Sequence, residues 1–324
     1  MEFMHQIVVC CFNRPNYLVI LLESLQKQTL LVNPEKITFV IDGYSNSSDE
    51  YLKKTNRTEE THALVKAYFP TSQIVKSKDN LGIPKSHDLA LQEAFRHKGN
   101  WALMIEEDLQ LADQALEIVQ EKVLAQDTFP NETAIINLDN WKRLDGSRAR
   151  GLYNASHGIR CALISRHFFS LAIPYCKLYL EYFDEIPYRE KEFFKLVQHM
   201  SRGQITLRGP HSDELYSQLV DHFSMYQFMI TPALANHIGL IGENENRLSG
   251  ISNSFETKTR FLPFEQFSFS NFELTRMKLT HKLTNRFGLR FRIREIHKAI
   301  HFQGLRRTLL ALLAKSFAQV VARF

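Results

Sequence analysis

Residues 106–108 are Glu-Glu-Asp, three adjacent carboxylates that end the apolar run Trp101, Ala102, Leu103, Met104 and Ile105. Acids crowded together repel one another unless a cation or good solvation offsets their charge. Two chemistries suit them. One is a solvated junction, with the acids favoured at the N-terminus of a following helix. The other is a cation site, because Mg²⁺ and Mn²⁺ take hard oxygen ligands, commonly one or two carboxylates completed by substrate phosphates. Such a cluster would grip a nucleotide diphosphate through the metal and stabilise the departing phosphate. Further polar residues stand at similar breaks, Asn13 and Arg14 after QIVVCCF and Asp42 after KITFVI.

The elements that must position these residues are legible as periodicity. QIVVCCF (6–12), KITFVIDGYS (36–45), SQIVKSK (72–78) and WALMIEED (101–108) are short, largely apolar runs. Amphipathic helical patterns lie between and after them, through Leu18, Leu21, Leu22 and Leu25, through Leu89, Leu91, Ala94 and Phe95, and over LADQALEIVQEKVLA. Apolar strands alternating with such helices indicate an α/β fold with a mixed, mainly parallel sheet flanked by helices. Ligands of such open sheets bind beyond the carboxyl ends of the strands. Asn13, Arg14, Asp42 and the acid trio therefore belong to one crevice. In the second half, TAIINLDNW (133–141) reads as a strand, Glu214 to Phe223 as a helix, and YQFMITPALANHIGL (226–240) as strand with a proline break.

Composition sets bounds. The 324 residues are 44% hydrophobic and 23% charged, ordinary for a folded globular chain. No run approaches the roughly 18 apolar residues of a membrane span, and the first residues carry no signal-peptide pattern. Cys10, Cys11, Cys161 and Cys176 have no metal-ligand spacing and read as buried, reduced thiols, which suits a cytosolic compartment. The net charge of +5 is unevenly distributed: from Asn271 to Phe324, twelve lysines and arginines face only Glu273 and Glu295. Apolar residues recur at helical spacing in this tail, including Ile296, Ile300, Leu305, Leu309 and Leu312. A basic amphipathic helix of this kind suits an anionic membrane surface, and equally a helix packed on the body with its charges in solvent. Nucleic acid is disfavoured, since aromatic interleaving is sparse and no known module is present.

Taken in order, IVVCCFNRPNYL, VIDG, DNLGIPKSHDLALQEAF and WALMIEEDLQLA resemble the GT-A glycosyltransferases, and within them the N-acetylglucosaminyltransferase I group. The likeness continues through NLDN, GLYNASHGIRCALIS, SDELYSQL and NHIG, over roughly residues 6–240. Order and spacing carry it; no single motif is decisive. The resemblance implies a Rossmann-like GT-A domain at 1–255, with a nucleotide-sugar half at 1–112 and an acceptor half at 113–255. A basic helical region would follow at 256–324. It implies a Mn²⁺ (or Mg²⁺) ligand at Asp108, with Glu106 its acidic neighbour and Glu107 close to the ribose, where the family usually has aspartate. It places nucleobase recognition at Asp42 and donor binding at Asn13 and Arg14, with Arg14 toward the pyrophosphate.

Read from the residues alone, Ser212 or Asp213 is a helix N-cap. The resemblance makes Asp213 the catalytic base of an inverting transfer, with Glu214 as the fallback. Some GT-A enzymes place a metal ligand where His237 falls, although a lone histidine among apolar residues is more often a core group. Asn137, Asp139 and Trp141 could line a sugar pocket. The expectation is a metal-dependent, inverting transferase taking a UDP-sugar, first of all UDP-N-acetylglucosamine, to a glycan or lipid-linked acceptor in surface polysaccharide or lipopolysaccharide synthesis. Golgi members carry an N-terminal anchor and stem, whereas this chain starts almost on its first strand. A bacterial-type cytoplasmic enzyme, peripheral on the inner face of the membrane, is therefore expected. Two rivals stand beside it. One is an inert membrane-docked binding protein on the same fold. The other is a sugar nucleotidyltransferase, disfavoured because CCFNRPNY lacks the glycines of a phosphate loop.

Overall fold

In a computed structural model, the residues described are 2–45, 56–124, 132–139, 151–154, 158–186, 191–205, 207, 211–231 and 233–239, with backbone alone for 151–154, 185, 213 and 231. Among these residues, eight strands form one sheet in the order β3-β2-β1-β4-β8-β6-β9-β7. Here β1 is Gln6–Cys11, β2 Ile37–Ile41, β3 Gln73–Lys76 and β4 Trp101–Glu106. The other four are β6 Thr133–Asn137, β7 Gly151–Asn154, β8 Cys161–Ser165 and β9 Tyr226–Thr231. The first four pair in parallel, as does β6 with β9, while β8 runs antiparallel to both β4 and β6. A mixed, mainly parallel sheet flanked by helices is thus the architecture.

The apolar runs form these strands because both faces of the sheet are covered. β2 is buried at all five positions and β1 at all but its first. Helix α1 (Pro15–Gln26) buries Leu18, Leu21, Leu22 and Leu25, one stripe at helical spacing. Full burial of each is worth roughly 1.5–3 kcal/mol. Helix α2 is Thr58–Tyr68, and α3 (Gly82–Arg96) packs Ala90, Leu91 and Ala94 into the core. The four cysteines are buried and free, as their spacing implied.

One element departs from the sequence reading. After the acid trio comes a strand, β5 (Leu109–Leu111), and only then the short helix α4 (Ala115–Ile118), continued by π-helical turns over Val119–Leu124. β5 pairs antiparallel with β10 (Ala235–His237), setting His237 opposite Leu109. The acids therefore sit in a strand-to-strand turn with no helix dipole to favour them. Among the described residues, three helices follow β8: α5 (Arg166–Glu185), α6 (Phe193–Ser201) and α7 (Ser212–His222). No helix among the described residues is long and apolar enough to cross a membrane. The basic region 256–324 lies outside the described residues.

Candidate functional site

The three acids diverge, and each meets protein partners. Glu106, the last residue of β4, turns one oxygen to His87 Nε2 at 3.2 Å. Glu107 accepts from the Phe12 amide at 2.8 Å and from Arg14 Nε at 2.7 Å. Asp108 accepts from Arg14 Nη1 at 2.7 Å, and its Oδ2 lies 3.1 Å from His237 Nε2. One guanidinium thus bridges two carboxylates that are almost fully buried, Glu107 at 1% and Asp108 at 4% exposure. The crowding is relieved first by the protein's own cations, which the sequence reading had left to a bound metal.

Local sequence fixes this arrangement. Arg14 occupies the N-cap of α1, and Pro15 starts the helix directly behind it, where a missing N–H costs nothing. The Arg14 carbonyl accepts from the Tyr17 and Leu18 amides, so its backbone is held while the side chain reaches across the strand ends. On the other side, the Ile238 amide donates to the Asp108 carbonyl, continuing the β5–β10 ladder past His237. Gly239 follows, and a Cβ there would come within 2.4 Å of Asp108 Oδ2. Only glycine lets the backbone approach the carboxylate so closely.

Electrostatics follow from burial and partners. Burial pushes Asp108 upward, but the His237 hydrogen bond and the charges of Arg14, His237 and Arg160 outweigh it and hold the carboxyl well below the usual range. For Glu107 burial prevails over Arg14 and the Phe12 amide, and the carboxyl is raised. Arg14 pays the same desolvation, yet its two acids keep it firmly protonated.

Asp42 caps a different corner. Its Oδ1 accepts from the Leu81 amide at 2.6 Å and the Gly43 amide at 2.8 Å; Oδ2 accepts from the Gly82 amide at 3.0 Å and Asn80 Nδ2 at 3.4 Å. These contacts fill the roughly four acceptor sites of a carboxylate. Asp42 therefore anchors the NLGI loop and the start of α3, leaving little capacity for a direct bond to a base. Gly82 has φ +71°, a left-handed conformation natural to glycine, which explains the G of that motif. Burial pushes the Asp42 carboxyl up to about 6, against its three amide donors.

Asn13 is likewise committed to the scaffold: its Oδ1 accepts from the Arg57 amide at 2.5 Å, at the start of α2. Asp139 is buried and paired with Arg160 at 2.8 Å. Burial raises its pKa, with Arg160 opposing. Arg160, which also bears electrostatically on Glu106 and Asp108, was not singled out by the sequence, and neither was His87. Both act through contacts more than 15 residues away, for which spacing gives no signal. In α7, Asp213 and Glu214 lie in the first turn behind an N-cap that is His211, which makes no side-chain cap bond; neither Ser212 nor Asp213 is the cap. Glu214 is half-buried and its charge acts on His211. The Asp213 side chain and Trp141 lie outside the described residues.

The fit to a divalent cation rests on Asp108 and His237. Among the described residues no three His, Cys, Asp or Glu side chains converge closely enough to hold a metal by themselves. Asp108 Oδ1 is buried with no hydrogen-bond partner among them, and His237 Nε2 lies beside the other oxygen. Two protein donors with diphosphate oxygens and water completing the shell is the usual pattern for Mg²⁺ or Mn²⁺ at substrate phosphates. The residues fit that half-site.

No family model matches this chain, and no curated protein matches it in sequence. Among solved structures, it is similar to Staphylococcus aureus TarS residues 1–349, at 11% identity over 74% of this chain and 61% of that chain, with a TM-score of 0.39. The complex of the same fragment with UDP-GlcNAc matches at 12% identity over 75% and 62%, TM-score 0.38. The chain thus spans about three fifths of these two structures. At these values the functional reading rests on the chain's own residues.

Proposed function

We propose that this chain is a nucleotide-sugar-dependent glycosyltransferase that moves a sugar from a UDP donor to an acceptor hydroxyl with inversion. The observation that carries the reading is the convergence at the carboxyl ends of β1 and β4: Arg14, Glu106, Glu107 and Asp108, with His237 delivered to Asp108 by the β5–β10 ladder. A guanidinium and an imidazole set among carboxylates, at the strand ends of an open sheet, suit a diphosphate and its metal. The ordered resemblance of the sequence motifs to the N-acetylglucosaminyltransferase I group supports the same class.

In this reading the NLGI loop, tied down by Asp42, frames the nucleoside, and Arg14 faces the diphosphate. Asp108 and His237 would hold Mn²⁺ or Mg²⁺, which supplies Lewis-acid stabilisation to the leaving diphosphate. Asp213, or failing it Glu214, takes the proton of the acceptor hydroxyl as that oxygen attacks the anomeric carbon and the bond to the diphosphate oxygen breaks. N-acetylglucosamine is the first donor sugar to test. A glycan or lipid-linked acceptor at an anionic membrane surface, engaged by the basic 256–324 region, completes the proposal.

The test is calorimetric titration and hydrolysis with a panel of UDP-, GDP-, CMP- and dTDP-sugars, in Mn²⁺ and in EDTA, for wild type and Asp108→Asn. Metal-dependent binding of a UDP-sugar, lost in the variant, is expected. A folded wild type that binds no donor would refute the reading, and preference for another nucleotide would refute its UDP part.

A further inference from the structure

Resting on the glycosyltransferase reading, the geometry points to Arg14 as an internal competitor of the divalent cation. It occupies Asp108 in the free protein and releases it only when a diphosphate offers another partner, so metal and nucleotide load together.

Three observations lead there. First, the Asp108 oxygen that faces His237, the one a cation held by both residues would need, is already taken. Oδ2 already meets Arg14 Nη1 at 2.7 Å and His237 Nε2 at 3.1 Å, with the Gly239 backbone against it. Oδ1 is buried and has no hydrogen-bond partner among the described residues. A divalent cation and a guanidinium cannot both sit against one carboxylate oxygen, because like charges so close repel strongly in a poorly hydrated site. Second, Arg14 can leave without moving the chain. Its backbone is pinned by Pro15 and by the first turn of α1, while the side chain keeps 20% of its exposure and its guanidinium lies 5.8 Å from the Tyr17 ring centroid. Third, a departing guanidinium needs a replacement anion, and a diphosphate is the group whose geometry its fork matches. Exchange then leaves neither anion without a cation: Arg14 passes from Asp108 to phosphate as the metal takes Asp108, and the extra positive charge of the metal lies beside Glu107, which Arg14 Nε holds in the free protein.

Such an exchange makes the two ligands positively coupled, and the coupling is reciprocal. Mn²⁺ binding to the full chain is measured by electron paramagnetic resonance of free Mn²⁺, with and without UDP, for wild type, Arg14→Gln and Arg14→Lys. UDP should tighten Mn²⁺ binding to wild type by on the order of tenfold or more, within the usual range of coupling. Arg14→Gln should bind Mn²⁺ tightly without UDP, by a similar factor, and UDP should then add about threefold or less. Arg14→Lys keeps a positive charge near the acids and guards against failure to fold; its point charge reaches one carboxylate and should give an intermediate gain.

Equal Mn²⁺ affinity of wild type and both variants without UDP would overturn the inference while leaving the donor reading intact. UDP binding with no Mn²⁺ binding in any form would overturn it together with the metal half-site. A folded wild type that binds no UDP would instead sink the glycosyltransferase reading from which the inference starts.

Discussion

Replacing Arg160 by methionine keeps most of the aliphatic stem and removes the guanidinium that faces Asp139. The two groups meet at 2.8 Å, with Asp139 only 7% exposed and Arg160 21%. At an effective dielectric of about 20, that separation corresponds to roughly 6 kcal/mol of gross attraction. Much of it is offset by the desolvation of both ions, and breaking one side of a buried pair typically costs about 3–5 kcal/mol. The loss should depend on pH with a definite sign. Burial already raises the Asp139 carboxyl, and Arg160 is the leading opposing influence. Without it, the folded-state value stands further above the unfolded one. A group raised in the folded state contributes stability at low pH that disappears as pH rises through the folded value. The deficit of Arg160→Met should therefore be largest near neutral pH and shrink on acidification. Urea unfolding of wild type, Arg160→Met, Asp139→Asn and the double variant, at about pH 7.5 and about pH 5, measures both the loss and the coupling. A deficit below about 1 kcal/mol at neutral pH, or one that acidification leaves unchanged, would refute the buried-pair argument.

Asp42 provides a second pH signature. Its carboxyl is pushed up to about 6 from an ordinary value of 3.8, a difference of roughly 3 kcal/mol between protonation states. The native state therefore gains stability as pH falls from above 6 toward 3.8. Unfolding midpoints across that range, compared with Asp42→Asn, should show this slope vanish in the variant; a parallel pair of curves would mean the amide donors keep the group ionised. Gly239→Ala places a methyl 2.4 Å from Asp108 Oδ2. It should cost about 1–3 kcal/mol by overpacking and weaken metal-dependent UDP binding by about tenfold, read by urea unfolding and titration. Full retention of both would show that the backbone there can retreat.

Much of the scaffold was legible because its signal is local. β1, β2 and β4 are apolar runs that no other environment would bury so well, and the Leu18–Leu25 stripe marks α1 unambiguously. Of the side chains the structure brings together at the candidate site, only those at strand ends, Arg14 and the acid trio, stood out in the sequence. β5 was missed because three residues, two buried around an exposed glutamine, are too short to show a period. The nearness of His237 to Asp108 was hidden for the same reason: it is set by strand register across 129 residues. His87 and Arg160 answer acids elsewhere in the chain, and single-residue context carries no trace of that pairing. Asp42 was legible as a strand-end acid, but the Leu81 and Gly82 amides that occupy its oxygens come from the NLGI loop, a contact that spacing does not reveal.

The β5–β10 ladder bears on how the protein comes into being. During translation the acid-bearing turn leaves the ribosome long before the segment that carries His237 and Gly239, so the nascent chain exposes Asp108 with one side of its enclosure still unsynthesised. Contacts of such large sequence separation are late to form and slow to close. A chain arrested between residues 112 and 234 could fold its first strands and helices yet could not present the finished carboxylate site. The enclosure of Asp108 therefore waits on the docking of β10 against β5.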